Sequence, residues 1–331
     1  MINRRKFISM SAAILATASF DEGRQVLAKE LNMRHSGKSR IALVRTDDRV
    51  SGIKKAIGLL DISQVKGKDV LLKPNFNTAD PFPASTHNDT LIQLISNLKD
   101  MGAVGITIGE RSGPPDSAEV IKQKGIYDLC KKLGVGLINF EKLPSDKWVR
   151  VRPEKSHWRD GFDIAKPVLD SQCIVTTCCL KTHGYGGVFT MSLKLSVGMT
   201  HKRNMSELHS SLLSMRKMIA EINQVYTPSL ILLDGIEAFV DKGPMEGPRK
   251  RADVILAGAD RIAIDAVGIA ILKELGSNKA IMNRKIFEQE QIARAVELGL
   301  GVTRPEDIEI ATGDTASKKY AETLQTILLK G

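Results

Sequence analysis

Lys181-Thr182-His183 is the tripeptide of this chain best equipped for chemistry. A lysine cation can bind a carboxylate or phosphate, and a histidine beside it can exchange protons near neutral pH. If Thr182 continues the apolar run Cys173–Leu180 as a strand, Lys181 and His183 point to the same side. Gly184, Gly186 and Gly187 follow and let a ligand or a second backbone come close. Thr190 then reads as the start of a helix that carries Lys194 one turn later, with backbone donors offered to an anion. The plainer readings are a solvated strand-end lysine, a hydrogen-bonded histidine and an ordinary capping threonine.

Other polar clusters follow the same logic. In Lys73-Pro74-Asn75, proline fixes the chain leaving a strand, while lysine and asparagine supply a cation and an amide. The loop from Lys242 to Arg249 could expose backbone donors at Gly243 and Gly247, but it lacks Walker spacing, so nucleotide hydrolysis is unsupported. Asp234 and Glu110, each after an apolar run, are the acids suited to orient a base or hold a hard cation. Asp260 reads as a helix cap and Asp265 as a structural acceptor. His201 and His209 have no recognised zinc spacing, and Ser112 sits in no nucleophile elbow.

The four cysteines, Cys130, Cys173, Cys178 and Cys179, do not make a disulfide framework in a chain of 331 residues. The last three read as small hydrophobes on a buried strand. The alternative, a soft metal or redox site of Cys178 or Cys179 with His183, has no CxxC or cysteine-rich run behind it.

These residues need a scaffold, and the pattern supplies one. Strands are predicted at Ile41–Val44, Val70–Leu72, Ile106–Ile108, Val135–Ile138, Cys173–Leu180, Leu230–Leu233, Val254–Leu256 and Ile308–Ala311. Helices are predicted at Val50–Leu60, after Asn88 or Asp89 to Gly102, from about Ser206 to Tyr226, from about Asp260 to Leu275 and from about Ala316 to Leu328. The stripe Leu208, Leu212, Met215, Ile219, Ile222 makes the third of these one long helix. The alternation predicts a Rossmann-like, doubly wound α/β fold, a mostly parallel sheet with helices on both faces, over residues 40–331 as a single domain. In such sheets, ligands sit outside the carboxyl ends of the strands, so the polar clusters converge on one cleft.

The ordered set Leu72-Lys73-Pro74-Asn75, Gly109-Glu110, Lys181-Thr182-His183, Thr190 with Lys194, Asp234-Gly235, Gly243-Pro244 with Gly247, and Asp260 with Asp265 resembles the bacterial and archaeal family known as domain of unknown function 362. The resemblance covers roughly residues 40–312. It implies a fold and site positions but no settled activity. Some relatives carry a ferredoxin-like segment with cysteine-ligated iron–sulfur clusters. This chain has no such motif, and Leu195 follows Lys194 where many relatives have asparagine, so the resemblance implies no iron–sulfur electron transfer within this polypeptide. A metal-assisted enzyme would resemble the lactate racemases and their nickel-cofactor relatives in α/β layout and in its use of lysine and histidine, a likeness of fold alone.

The amino-terminal residues address location. Asn3-Arg4-Arg5-Lys6-Phe7-Ile8, the weakly apolar stretch Met10–Phe20, and small-residue sites at Ala16-Thr17-Ala18 or Val26-Leu27-Ala28 resemble a twin-arginine export signal over residues 1–28, cleaved near 18 or 28. The expected partner is the twin-arginine export machinery, and the expected location periplasmic. The apolar stretch is well short of the ~20 residues that span a membrane, and no later segment reaches that length.

Net charge is +10; losing four of the 48 bases and two of the 38 acids with residues 1–28 leaves +8. That excess attracts anions. With 5% aromatic residues and no recognition motif, nucleic acid is not an expected partner. Two readings follow. One is an exported enzyme in which Lys73, Lys181 and Lys194 hold an anionic small molecule, with a metal as an open question, while His183 moves a proton. The other is a non-catalytic periplasmic binding or maturation protein serving a redox or iron–sulfur partner.

Overall fold

The apolar runs form strands where the sequence places them, and the computed structural model, which describes residues 38–331, assembles most of them into one sheet. The strands are β1 (Ser39–Arg45), β2 (Asp69–Lys73), β3 (Gly105–Glu110), β4 (Gly136–Asn139), β5 (Trp148–Val151), β6 (Phe162–Ala165), β7 (Cys173–His183), β8 (Val188–Phe189), β9 (Leu230–Phe239), β10 (Arg249–Gly258) and β11 (Ile308–Ala311). The large sheet runs β11-β1-β10-β9-β7-β2-β3-β4, with β8 hanging from β7, and β5 and β6 form a separate hairpin. Pairing is parallel except where β10 meets β1 and β9, and where β8 folds back on β7. The export segment proposed for residues 1–28 lies outside the described residues.

β7 is buried at all of its positions, and its period of two divides the core. Cys178 and Leu180 pack with Ile264, Val267 and Leu324 from the helices Arg261–Glu274 and Thr315–Lys330. Val175 and Cys179 pack with Ile53, Leu91 and Leu94 from Arg49–Gly58 and Asn88–Asp100. Helices therefore cover both faces of a mostly parallel sheet, as the alternation predicts.

Two expectations fail for physical reasons. The long helix from about 206 to 226 is two short ones, Asn204–Ser210 and Met215–Ile222. At the break the Ser210 hydroxyl donates to the Glu207 carbonyl, and Leu212 and Leu213 face solvent instead of continuing the stripe. The strand expected to end at Leu233 continues through Asp234-Gly235 to Phe239. A Cβ at Gly235 would come within 2.9 Å of Val254, so glycine lets the neighbouring strand approach there.

β2 and β7 are neighbours whose chains leave in opposite directions, one toward β3 and the other toward β9. Such a switch point opens a crevice at the strand ends. Lys73, the last residue of β2, stands opposite Thr176, so β7 runs on past it to His183. This overshoot, braced by β8 and by Lys181 pairing with Phe239, forms one wall of the cleft.

Candidate functional site

A cleft of about 680 Å³ opens at this switch point, and Lys73, Asn75, Glu110, Lys181, His183, Thr190 and Lys194 all line it. Asp234, Gly243 and Gly247 do not.

Lys73 and Glu110, both buried, form an ion pair of 2.5 Å. Glu110 also accepts bonds from the backbone N–H groups of Phe76 and Arg111, each at 2.8 Å. Burial lowers the Lys73 pKa and raises that of Glu110, while the ion pair opposes both shifts. With both oxygens engaged, Glu110 ties the end of β3 to the loop after β2; it is not the free acid or base expected for a catalytic carboxylate.

Lys181 is 1% exposed and donates to the carbonyl of Ala84. Burial pulls its pKa down to about 8. Lys194, half-buried across the cleft, is lowered to about 8 by burial and by the nearby Lys181 and Arg111. Neither lysine has a carboxylate partner among the described residues. Arg111, which the sequence reading assigned no role, is a third buried cation. Its guanidinium donates to the carbonyls of Thr200, Ser112 and Val197, locking the segment after Lys194 onto β3, and burial lowers its pKa to about 10.

His183 is 7% exposed, and its Nδ1 has no hydrogen-bond partner among the described residues. Burial, followed by Lys194, Lys181 and His209, pushes its pKa down to about 2. The imidazole is therefore held neutral throughout the physiological range, in place of the expected exchange near pH 7. Tyr185 stands edge-on to it, with ring centroids 6.0 Å apart. A Cβ at Gly187 would lie 2.9 Å from the His183 ring and 3.2 Å from Lys194 Cε, so that glycine makes room for both.

Residues 70–270, more than half of the chain, match the family described as Domain of unknown function (DUF362). The chain belongs to this family. A thylakoid-associated protein, sll1697, from Synechocystis sp. is 23% identical over 212 residues, covering 62% of this chain and 64% of its own length. Among solved structures, the lactate racemase apoprotein from Thermoanaerobacterium thermosaccharolyticum aligns with a TM-score of 0.44 and 13% identity over 88% of this chain and 86% of that one.

The remaining expected site residues of this DUF362 protein have structural roles. Asp234 is fully buried in the middle of β9, where its Oδ2 accepts from Arg49 Nε and Thr90 Oγ1, each at 2.6 Å. It fastens two helices to the sheet from outside the cleft. Thr190 lines the cleft but does not cap a helix: the short helix Ser192–Leu195 has its first donors taken by Asp265, at 2.7 and 3.0 Å. No anion site is left at that terminus.

Gly243 and Gly247 shape their loop without facing the cleft. A Cβ at Gly243 would lie 2.1 Å from the Thr182 carbonyl, and Gly247 has φ of 149°. The Gly184 N–H donates to the carbonyls of Lys242 and Gly243, bringing Pro244 and Met245 to the cleft wall. Val188 and Lys242, with φ of 67° and 64°, hold left-handed conformations beside these turns, strain of the kind that gathers at ligand sites.

Among the described residues, no three His, Cys, Asp or Glu side chains stand where they could share a metal ion. His209 reaches the cleft, bonded to the Met205 carbonyl at 2.7 Å, whereas His201 packs on Trp148 outside it. Cys178 and Cys179 are core residues with thiol pKa values raised by burial, Cys179 to about 11. Among the described residues, no helix is long and apolar enough to cross a membrane.

Proposed function

We propose that this protein binds an anionic small molecule in the switch-point cleft and that His183, as a neutral imidazole, accepts a proton from it. The observation that carries this reading is the enclosure of Lys181, Lys194 and Arg111 in one cleft without a carboxylate partner among the described residues. Holding like charges together in a partly dehydrated cleft is unfavourable, and a carboxylate or phosphate supplies the missing counter-charge. Burial is the larger cause of the depressed His183 pKa, and such a ligand offsets the smaller part that comes from the nearby lysine charges. Asn75, whose side chain has no hydrogen-bond partner among the described residues, adds an amide at the same wall.

Isothermal titration calorimetry with oxalate, lactate and inorganic phosphate tests the reading. At least one should bind, and Lys181→Met and Lys194→Met should each weaken it by roughly tenfold or more, as expected for a lost charge-assisted bond. Absence of heat and of thermal stabilisation with every anion refutes it.

A second reading has its own support: with Glu110 fully engaged and Asp234 outside the cleft, the lining offers no free carboxylate for proton transfer among the described residues. A binding protein without turnover is the alternative. His183→Gln separates the two, since a catalyst loses turnover on the bound ligand while a binding protein has none to lose. Export is part of the proposal and rests on residues 3–28. R4K together with R5K should leave uncleaved protein in the cytoplasm, and unchanged periplasmic recovery contradicts export by that route.

A further inference from the structure

The cleft has a polar floor, made by the Lys73–Glu110 pair, Lys181, Arg111 and the neutral His183 at the strand ends, all buried. Leu195, Val197, Met205, Tyr185, Pro244 and Met245 form an apolar strip in its lining, beside polar groups that include Lys202 and His209. Tyr185 is 61% exposed, and the apolar lining comes from short helices and loops rather than from the sheet.

Two exposed leucines, Leu212 and Leu213, stand on a turn tied to the one that carries Tyr185. Arg216 donates both to the Gly186 carbonyl at 2.9 Å and to the Leu212 carbonyl at 3.2 Å, joining the turn that carries Tyr185 to the Leu212-Leu213 turn. Leu213 is 87% exposed there. A small hydrophilic acid would occupy the floor and leave these walls facing water. A volume of about 680 Å³ falls within the roughly 300–1,000 Å³ that encloses a drug-sized ligand.

We infer that the ligand is an amphiphilic anion, with a carboxylate or phosphate head at Lys181 and Lys194 and an apolar tail running along Leu195, Val197, Met205 and Met245 toward Tyr185. This rests on the anion-binding reading above and specifies its ligand class. The head supplies the counter-charge that the floor lacks. The tail replaces water along walls that offer few hydrogen bonds, which adds affinity for each methylene buried.

The test is calorimetry with two homologous series below their micellar concentrations, n-alkyl carboxylates from acetate to decanoate and the corresponding n-alkyl phosphates. Affinity should rise by up to roughly fourfold per methylene and level off when the tail reaches the mouth. The better series identifies the head. Lys181→Met and Lys194→Met should weaken decanoate as well as acetate, and Met245→Ser should lower the decanoate-to-acetate affinity ratio, with circular dichroism confirming that each variant is folded. Affinity independent of chain length overturns the amphiphile while leaving anion binding intact. Failure of every anion to bind overturns the underlying reading. Decanoate binding that neither lysine variant weakens also overturns the inference, because the head is then unrecognised.

Discussion

Asp265 on the helix Arg261–Glu274 accepts the backbone N–H groups of Ser192 and Leu193, so a core carboxylate caps the helical turn that presents Lys194. Burial pushes its pKa up to about 7 against those two bonds. Asp265→Asn keeps the volume but replaces one acceptor with a donor facing another donor. We expect a loss of roughly 2–4 kcal/mol in urea denaturation and a weaker grip on anions through a displaced Lys194. Unchanged stability would mean that the turn is held by packing alone.

Asp234 gives a contrasting case. It belongs to a buried bridge from β9 to Arg49 and Thr90, with no surface in the cleft. Asp234→Ala should cost about 3 kcal/mol, because a buried partner of a charge is removed. Anion affinity should stay within about twofold. A large loss of affinity at full stability would return Asp234 to the site.

Gly187 separates His183 from Lys194. Gly187→Ala adds a methyl group 2.9 Å from the imidazole, so the ring or the lysine must move. Anion affinity should fall by roughly 5- to 150-fold, the equivalent of about 1–3 kcal/mol of crowding. Wild-type affinity by calorimetry, with both side chains unmoved in a crystal structure of the variant, would show that the space is not needed.

His183 should be silent in a proton titration of the free protein. Its folded pKa lies far below the usual 6.5, so the stability it contributes is present above about pH 6.5 and is lost as falling pH protonates the unfolded chain. Its ring carbon resonance should not titrate between pH 5 and 8 in the free protein. A midpoint near 6.5 without ligand would contradict the burial argument.

The sheet was legible because strands buried on both faces read as apolar runs, and Lys73, Lys181 and His183 were legible because they end such runs. Asp234 was misread for the same reason: a buried acid with its own arginine looks, in sequence, like a strand end. Arg111 gave no signal, since a guanidinium satisfied by backbone carbonyls depends on tertiary placement. The helix break at Ser210–Ser214 was hidden beneath an unbroken apolar periodicity, of which Leu212 in fact faces solvent. Asp265 could be named as an acceptor, but which backbone groups it would take depended on a helix packed far along the chain.

The lysines make the charge argument testable through pH. Lys181 in the free protein has its pKa lowered to about 8, against 10.5 when solvated. Below pH 8 both folded and unfolded chains hold the proton, and the folded state bears the full penalty of the buried charge. Between pH 8 and 10.5 only the unfolded chain holds it, so this penalty is relieved as pH rises. Lys181→Met removes the penalty at every pH. Its stability advantage over wild type should therefore be greatest below pH 8 and shrink toward pH 10.5, read by urea denaturation at fixed ionic strength without added anion. Anion affinity runs the other way: it needs the proton, so it should hold below pH 8 and fall about tenfold per unit above for each lysine required. Parallel stability profiles for the two proteins, or affinity constant through pH 9.5, would show that Lys181 is not the uncompensated charge on which ligand binding depends.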